Sequence, residues 1–89
     1  MKWPYLEVTF RHGRPSAAYL YLSRFPGDRS RRTIPAGVGM IIDYTDAGEP
    51  IGIEITASGK VTIADINAVL ASVDAPALTA EDIAPLRAA

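Results

Sequence analysis

Residues 38–55 read VGMIIDYTDAGEPIGIEI, two apolar stretches joined by a short polar turn. The isoleucines of the second stretch occupy every other position over residues 51–55, and a period of two is typical of a β-strand. The turn ends at Gly48, which can adopt a positive φ without steric cost. The segment therefore predicts a β-hairpin whose first strand covers residues 38–44.

The N-terminal part of the chain carries a second pattern of this kind. Residues 5–10 and residues 17–22 both alternate, and Gly13 and Pro15 between them favour a turn. Residues that lie opposite each other in an antiparallel pair share a face of the sheet. The predicted opposite pairs are Leu6 with Leu22, Val8 with Leu20 and Phe10 with Ala18.

The pattern changes to helical spacing in the C-terminal third. Apolar residues recur there every three or four positions and form one stripe: Ile63, Ile66, Val69, Leu70 and Val73. Thr62 can cap the first turn, and Asp65 three residues later matches the capping-box spacing. We therefore expect a helix over residues 62–73, followed by a short terminal helix over about 80–88.

These elements define a fold class. A short edge strand is expected over residues 31–34, because Pro35 is tolerated only at the edge of a sheet. No helix is expected between the strands, so parallel crossover connections are excluded. The prediction is an α+β fold with a four- to five-stranded antiparallel sheet over about 3–56 and the helix on one face. We expect residues 1–89 to form a single domain.

Composition excludes several classes of function. The chain has 89 residues, of which 48% are hydrophobic and 21% charged, with no cysteine and one histidine. These counts remove thiolate sites and most zinc catalysis, so we expect no enzyme, no catalytic residue, no metal and no cofactor. No apolar run approaches the roughly 20 residues of a membrane span, and no signal-peptide stretch is present. We expect a cytoplasmic protein with no membrane contact.

The charges are unevenly distributed along the chain. Residues 11–32 carry six arginines against one aspartate, whereas residues 43–89 carry eight acidic residues against two basic ones. The basic residues of one predicted loop are Arg24, Arg29, Arg31 and Arg32. An arginine-rich loop containing an aromatic residue, here Phe25, suits a phosphate backbone and a stacked base. The calculated pI of 5.7 argues against this, and the loop could equally be solvated or pair with the acidic half of a neighbouring chain.

Aromatic residues collect on the face of the predicted sheet opposite the leucines. They are Trp3, Tyr5, Tyr19 and Tyr21. Aromatic residues are enriched at protein interfaces, although the terminal helix could instead cover these four, or they could simply be exposed. Oligomerisation would also support the thin core of so small a domain. The leading hypothesis is a non-enzymatic interaction module, acting as a homodimer or as the partner of a small protein. The alternative is nucleic-acid binding through residues 24–32.

Residues 39–55 resemble a known signature. They contain Asp43 and Tyr44, then Gly48, then Gly52 and Glu54. This order resembles the motif Asp-Tyr-Asp-x-x-Gly followed by Gly-Ile-Glu-Ile in the small bacterial family called domain of unknown function 2283. The strand over 17–22 is similar to that family's Ala-x-Tyr-Ile-x-Leu segment.

The resemblance extends from residue 5 to about residue 73. It implies a small antiparallel sheet with a helix and implies no established activity. Members of the family are suspected of being antitoxin-like partners of small toxin-like proteins. The first turn departs from the family, which commonly has acidic residues where this chain has His12, Gly13, Arg14 and Pro15.

Two features allow more than one interpretation. Asp43 and Glu54 lie on adjacent predicted strands, where paired carboxylates could perform acid–base chemistry or bind a cation. Alternatively, Asp43 closes the turn and Glu54 meets an arginine across the sheet. His12 could be a ligand or a proton shuttle, or a solvated histidine in a turn.

Overall fold

The computed structural model of the chain describes residues 4–22, 27–56 and 59–87. The strands are β1 (Tyr5–Arg11), β2 (Arg14–Tyr21), β3 (Arg32–Pro35), β4 (Met40–Tyr44) and β5 (Pro50–Ile55), and the helices are α1 (Ile63–Ser72) and α2 (Ala84–Arg87). The strands form one sheet in the order β1-β2-β5-β4-β3, and every neighbouring pair is antiparallel. The predicted α+β fold is confirmed.

The first hairpin has a shorter turn than the sequence suggested. His12 and Gly13 alone form the turn, with φ angles of 54° and 75°, and β2 already begins at Arg14. Two-residue hairpin turns with positive φ at both central residues match the twist of the flanking strands. A bulge in the pairing beyond Thr9 absorbs the extra residue on β2.

This turn shifts the register by two residues from the predicted one. Leu6 lies opposite Leu20 and Val8 opposite Ala18, so the predicted pairs Leu6 with Leu22 and Val8 with Leu20 are wrong. Phe10 lies opposite Pro15 instead of Ala18 and is 49% exposed. A two-residue shift keeps each side chain on its predicted face, so the alternation itself could not reveal the error.

The second hairpin forms as predicted, with one change at its start. The turn between β4 and β5 contains Gly48 with a φ of 85°, and its amide donates to the Thr45 carbonyl oxygen at 2.9 Å. The strand expected to begin at Val38 begins at Met40. Val38 lies in the turn between β3 and β4, 79% exposed, because the glycines on both sides of it have positive φ.

The two hairpins join through β2 and β5. Ala18 lies opposite Ile55 and Leu20 opposite Ile53, which places β5 in the centre of the sheet. The edge strands are β1 and β3, and β3 covers Arg32–Pro35, one residue later than predicted. One face of this sheet carries the core: Ala18, Leu20, Met40, Ile42, Ile53 and Ile55 are all buried in it.

Helix α1 packs on that core face. Thr62 caps it as predicted: the Thr62 hydroxyl accepts from the Asp65 amide at 3.1 Å, and the Asp65 carboxylate accepts from the Thr62 amide at 3.0 Å. Ile66, Val69 and Leu70 are buried, while Ile63 and Val73 are partly buried against the same cluster. The predicted apolar stripe is therefore the surface that α1 buries.

The C-terminal segment returns to the same face of the sheet. The Leu78 amide donates to Asn67 Oδ1 at 2.8 Å, and Asn67 Nδ2 donates to the Leu78 carbonyl oxygen at 3.1 Å. Leu78, Ile83 and Leu86 are buried in the core cluster, and α2 packs against β2. The terminal helix is shorter than the expected 80–88, because turns occupy residues 80–83. It does not cover the tyrosines, which decides against that alternative.

Within the residues that the structure describes, neither α1 nor α2 has the length and apolar character needed to cross a membrane.

Candidate functional site: the open face of the sheet

The face of the sheet opposite α1 is called here the open face, since neither described helix covers it. The register places these residues on it: Tyr5, Glu7, Tyr19, Tyr21, Thr33, Ile41, Asp43, Gly52 and Glu54. Three of the four aromatic residues singled out from the sequence are among them. The fourth, Trp3, lies outside the described residues, so its position is not part of this site.

The three tyrosines form one contiguous cluster. The ring of Tyr21 lies between the other two, with its centroid 5.9 Å from that of Tyr5 and 4.6 Å from that of Tyr19. Both distances fall within the range of favourable aromatic pairs. Tyr21 also donates to Glu7 at 3.3 Å. Tyr5 is 43% exposed and the other two tyrosines are half-buried. The cluster is therefore an ordered aromatic surface with solvent access.

Asp43 is a buried carboxylate beside this cluster. It is 4% exposed, and the Tyr19 hydroxyl donates to its Oδ2 atom at 2.7 Å. Among the described residues no donor meets its Oδ1 atom, which is also buried. Asp43 does not close the turn, as one interpretation of the sequence suggested, because it lies opposite Gly52 within the sheet.

Gly52 makes the contact between Tyr19 and Asp43 possible. It lies on β5, between β2 and β4, and a methyl group at its Cα would overlap the ring and hydroxyl of Tyr19. Any other residue at position 52 would therefore exclude Tyr19 from its observed place. The glycine is needed for its lack of a side chain, since its φ lies outside the positive range.

Glu54 lies next to Asp43 on the open face. It is opposite Tyr19 on β2 and Ile41 on β4. A hydrogen bond with Asp43 is the main cause that raises the pKa of Glu54 above its ordinary value of 4.5. Partial burial and the negative charge of Asp43 raise it further. The interpretation in which Glu54 meets an arginine across the sheet is wrong, because the residues opposite Glu54 on the two neighbouring strands are Tyr19 and Ile41.

The motif residues are only partly brought together. Asp43, Gly52 and Glu54 meet on the open face, and Tyr19, from the other segment of the resemblance, joins them. Tyr44 is partly buried against the core on the opposite face, because consecutive side chains of a strand point to opposite faces of the sheet. Gly48 serves the turn.

The basic residues lie apart from this site. Arg29, Arg31 and Arg32 are exposed, in and just after the loop that leads into β3, and Arg24 lies outside the described residues. Arg31 forms an ion pair with Asp46 of the β4–β5 turn at 3.8 Å. Because both side chains are exposed, this pair contributes little stability. One of the three described arginines thus pairs with an acidic turn, which weakens the attraction of this segment for phosphate.

The remaining candidate chemistry is sparse in the described parts of the chain. His12 is exposed at the tip of the first hairpin. No group of three or more histidine, cysteine, aspartate or glutamate side chains there could hold a metal ion. Asp43 and Glu54 supply two carboxyl groups, and the Tyr19 hydroxyl donates to the first of them.

No protein-family model, no curated protein and no solved structure matches the chain. The relation to domain of unknown function 2283 therefore stays a prediction that rests on the motif residues.

Sequence reasoning missed two structural contacts. The bond between Tyr19 and Asp43 links residues 24 positions apart, and nothing local signals it. Asn67 lies on α1 outside the apolar stripe. Its side chain holds the C-terminal segment through hydrogen bonds to the amide and the carbonyl oxygen of Leu78. The available signal for the contact with Leu78 was the amide side chain of Asn67, which stands among small residues on the surface of the predicted helix.

Proposed function

We propose that the protein is a non-enzymatic interaction module that binds another protein chain through the open face. The observation that carries the proposal is the cluster of Tyr5, Tyr19 and Tyr21, partly exposed on a sheet face that neither described helix covers. Tyrosines combine a large apolar surface with a polar hydroxyl, and they are enriched where proteins bind each other.

The occupant that we propose is a second copy of this chain. The open face carries the acidic residues Glu7, Asp43 and Glu54, whereas Arg29, Arg31 and Arg32 of another copy are exposed and basic. Opposite charges steer two chains together and favour one arrangement over others. A second copy would also add to the small core of an 89-residue chain. The resemblance keeps a different small protein, in an antitoxin-like pairing, as the alternative partner.

The test measures the molar mass by light scattering over a dilution series. The wild type is expected to be dimeric, and Tyr5→Ser should raise the dimer dissociation constant by about tenfold or more, as for a residue within an interface. Val38→Ser is the matched control, because Val38 is exposed in the β3–β4 turn, away from the open face. It should leave the dissociation constant unchanged.

Circular dichroism of each variant separates a lost interface from a lost fold. Leu70→Asp provides the unfolded reference, because Leu70 is fully buried and an unpaired charge there costs several kcal/mol. A wild type that stays monomeric at every concentration contradicts the second copy as the occupant. Equal weakening by Tyr5→Ser and Val38→Ser contradicts the open face as the interface.

The nucleic-acid alternative has its own test. Retention of the wild type on an oligonucleotide column at low salt, lost when Arg29, Arg31 and Arg32 are replaced by alanine, would favour it over the protein interface. We expect the wild type to flow through, since Arg31 pairs with Asp46 and the chain is acidic overall.

A further inference from the structure

The two carboxylate oxygens of Asp43 differ in their hydrogen bonding. Its Oδ2 atom accepts from Tyr19, but its Oδ1 atom is buried and meets no donor among the described residues. A buried carboxylate oxygen without a donor is strongly unfavourable, because it has lost its water and gained nothing in exchange. A group close to Oδ1 must therefore satisfy it.

The carboxyl group of Glu54 is the available group. Glu54 is opposite Ile41 and Asp43 is opposite Gly52, so the two carboxyl groups lie on the same face of neighbouring strands, and the nearness of Asp43 raises the pKa of Glu54. Two ionised carboxylates can only accept hydrogen bonds, so a bond between them requires one proton. The Tyr19 hydroxyl cannot provide that proton, since it already donates to Oδ2.

We propose that Asp43 and Glu54 hold one proton between them, with the Glu54 carboxyl donating to Asp43 Oδ1, so that the open face changes its structure and charge with pH. Asp43 is fixed by its burial and by Tyr19, whereas Glu54 is half-exposed. When the proton leaves, the two negative charges repel each other and the Glu54 side chain turns to solvent. The acidic residues of the open face then carry one more negative charge.

No cation compensates the pair within the described residues. The groups that face Glu54 are Asp43 from β4 and Tyr19 and Tyr21 from β2, with Glu7 and Tyr5 behind them on β1. On the far side, β3 contributes Thr33 opposite Asp43. All the charged members of this set are acidic, which favours retention of the proton.

The direction of the effect on stability follows from the raised pKa of Glu54. The stabilisation of the fold by the Asp43–Glu54 pair is fully present below pH 4.5, the ordinary pKa of the Glu54 side chain. It is lost as the pH rises through the higher pKa that Glu54 has in the folded protein. Each pKa unit of that difference corresponds to about a tenfold rise in the unfolding equilibrium constant.

The test compares denaturant unfolding of the wild type and Glu54→Gln from pH 4.5 to 7.5. The glutamine amide can donate to Asp43 Oδ1 at every pH. The stability of the variant should therefore lack the pH-dependent loss that deprotonation of Glu54 causes in the wild type. The ratio of the wild-type unfolding equilibrium constant to that of Glu54→Gln should rise with pH and then level off. Glu49→Gln is the matched control, because Glu49 is exposed in the β4–β5 turn, and it should follow the wild type.

A direct titration uses the side-chain carboxyl carbon of Glu54, followed by NMR in the folded protein. Its midpoint should lie above 4.5 in the wild type and return toward 4.5 in Asp43→Asn, which has no negative charge. A wild-type midpoint at or below 4.5 overturns the proposal. So does a pH dependence of unfolding that is the same in Glu54→Gln and the wild type.

The same two proteins test whether a bound cation, instead of a proton, lies between the carboxyl groups of Asp43 and Glu54. Addition of CaCl2 at pH 7 should leave the unfolding constants of the wild type and Glu54→Gln in the same ratio. A stabilisation by Ca²⁺ that the wild type shows and Glu54→Gln lacks would overturn the shared proton. At a protein concentration below the dimer dissociation constant the measurements report on the monomer, so they can fail or succeed independently of the proposed interface.

Discussion

The hydroxyl of Tyr19 donates to the carboxylate of Asp43 at 2.7 Å across the full width of strand β5. The two residues lie on the strands that flank β5, and the tyrosine ring passes over Gly52 to reach its acceptor. The bond thus depends on three positions at once: a hydroxyl on β2, a carboxylate on β4 and the absence of a side chain on β5. It ties the two hairpins together on the open face, while the core ties them together on the other.

Replacement of Gly52 by alanine should break this contact. The added methyl group would overlap Tyr19, which must rotate away and leave Asp43 Oδ2 without its donor. We expect a loss of about 1–3 kcal/mol in the free energy of unfolding, measured with denaturant. Gly59→Ala is the control, since a methyl group there meets no atom within 4 Å. An equal effect of both substitutions would show that Gly52 matters only for its backbone.

Tyr19→Phe isolates the hydroxyl group from the ring. The phenylalanine ring can occupy the same place, but the buried Asp43 carboxylate loses its donor, at a cost of about 1–3 kcal/mol. Tyr21→Phe removes an exposed 3.3 Å bond to Glu7 and should cost less than Tyr19→Phe, because an exposed acceptor can bond to water instead. Denaturant unfolding measures both, and similar losses in the two variants would contradict the special role of the Tyr19 hydroxyl.

Asn67→Ala should release the C-terminal segment from α1. The substitution leaves the amide and carbonyl of Leu78 without their partners, although both are partly buried. We expect a loss of about 1–3 kcal/mol, together with faster amide hydrogen exchange at Leu78. Ala71→Ser is a control on an exposed position of the same helix. Unchanged exchange at Leu78 in Asn67→Ala would show that the burial of Ile83 and Leu86 suffices to hold the segment.

The cap of α1 predicts an acid-sensitive helix. Hydrogen bonds from the Thr62 amide and hydroxyl lower the pKa of Asp65 below its ordinary value of 3.8. The stabilisation by Asp65 is therefore present above pH 3.8 and is lost as the pH falls through the lower value of the folded protein. Asp65→Asn should remove this acid component from a circular-dichroism titration. Thr62→Ala should cost about 1 kcal/mol, and Thr62→Ser should restore most of it.

Local patterns in the sequence determined the secondary structure. Alternation identified both hairpins, the stripe from Ile63 to Val73 identified α1, and Thr62 with Asp65 identified its cap. These features depend on residues that are close in the chain, because side-chain period, turn chemistry and capping act over a few positions. The same information could not set the register of β1 and β2. Alternation specifies which face a residue occupies and is unchanged by a shift of two.

The tertiary structure alone decided how the candidate site is assembled. From the sequence, Tyr19 belonged to a group of aromatic residues, whereas Asp43, Gly52 and Glu54 belonged to a motif. They meet because β5 pairs with β2 on one side and with β4 on the other. That order of strands arises from burial of the apolar faces of both hairpins under α1, a long-range effect that no local pattern encodes. The carboxyl pair and its tyrosine donor are thus a consequence of how the two hairpins pack together.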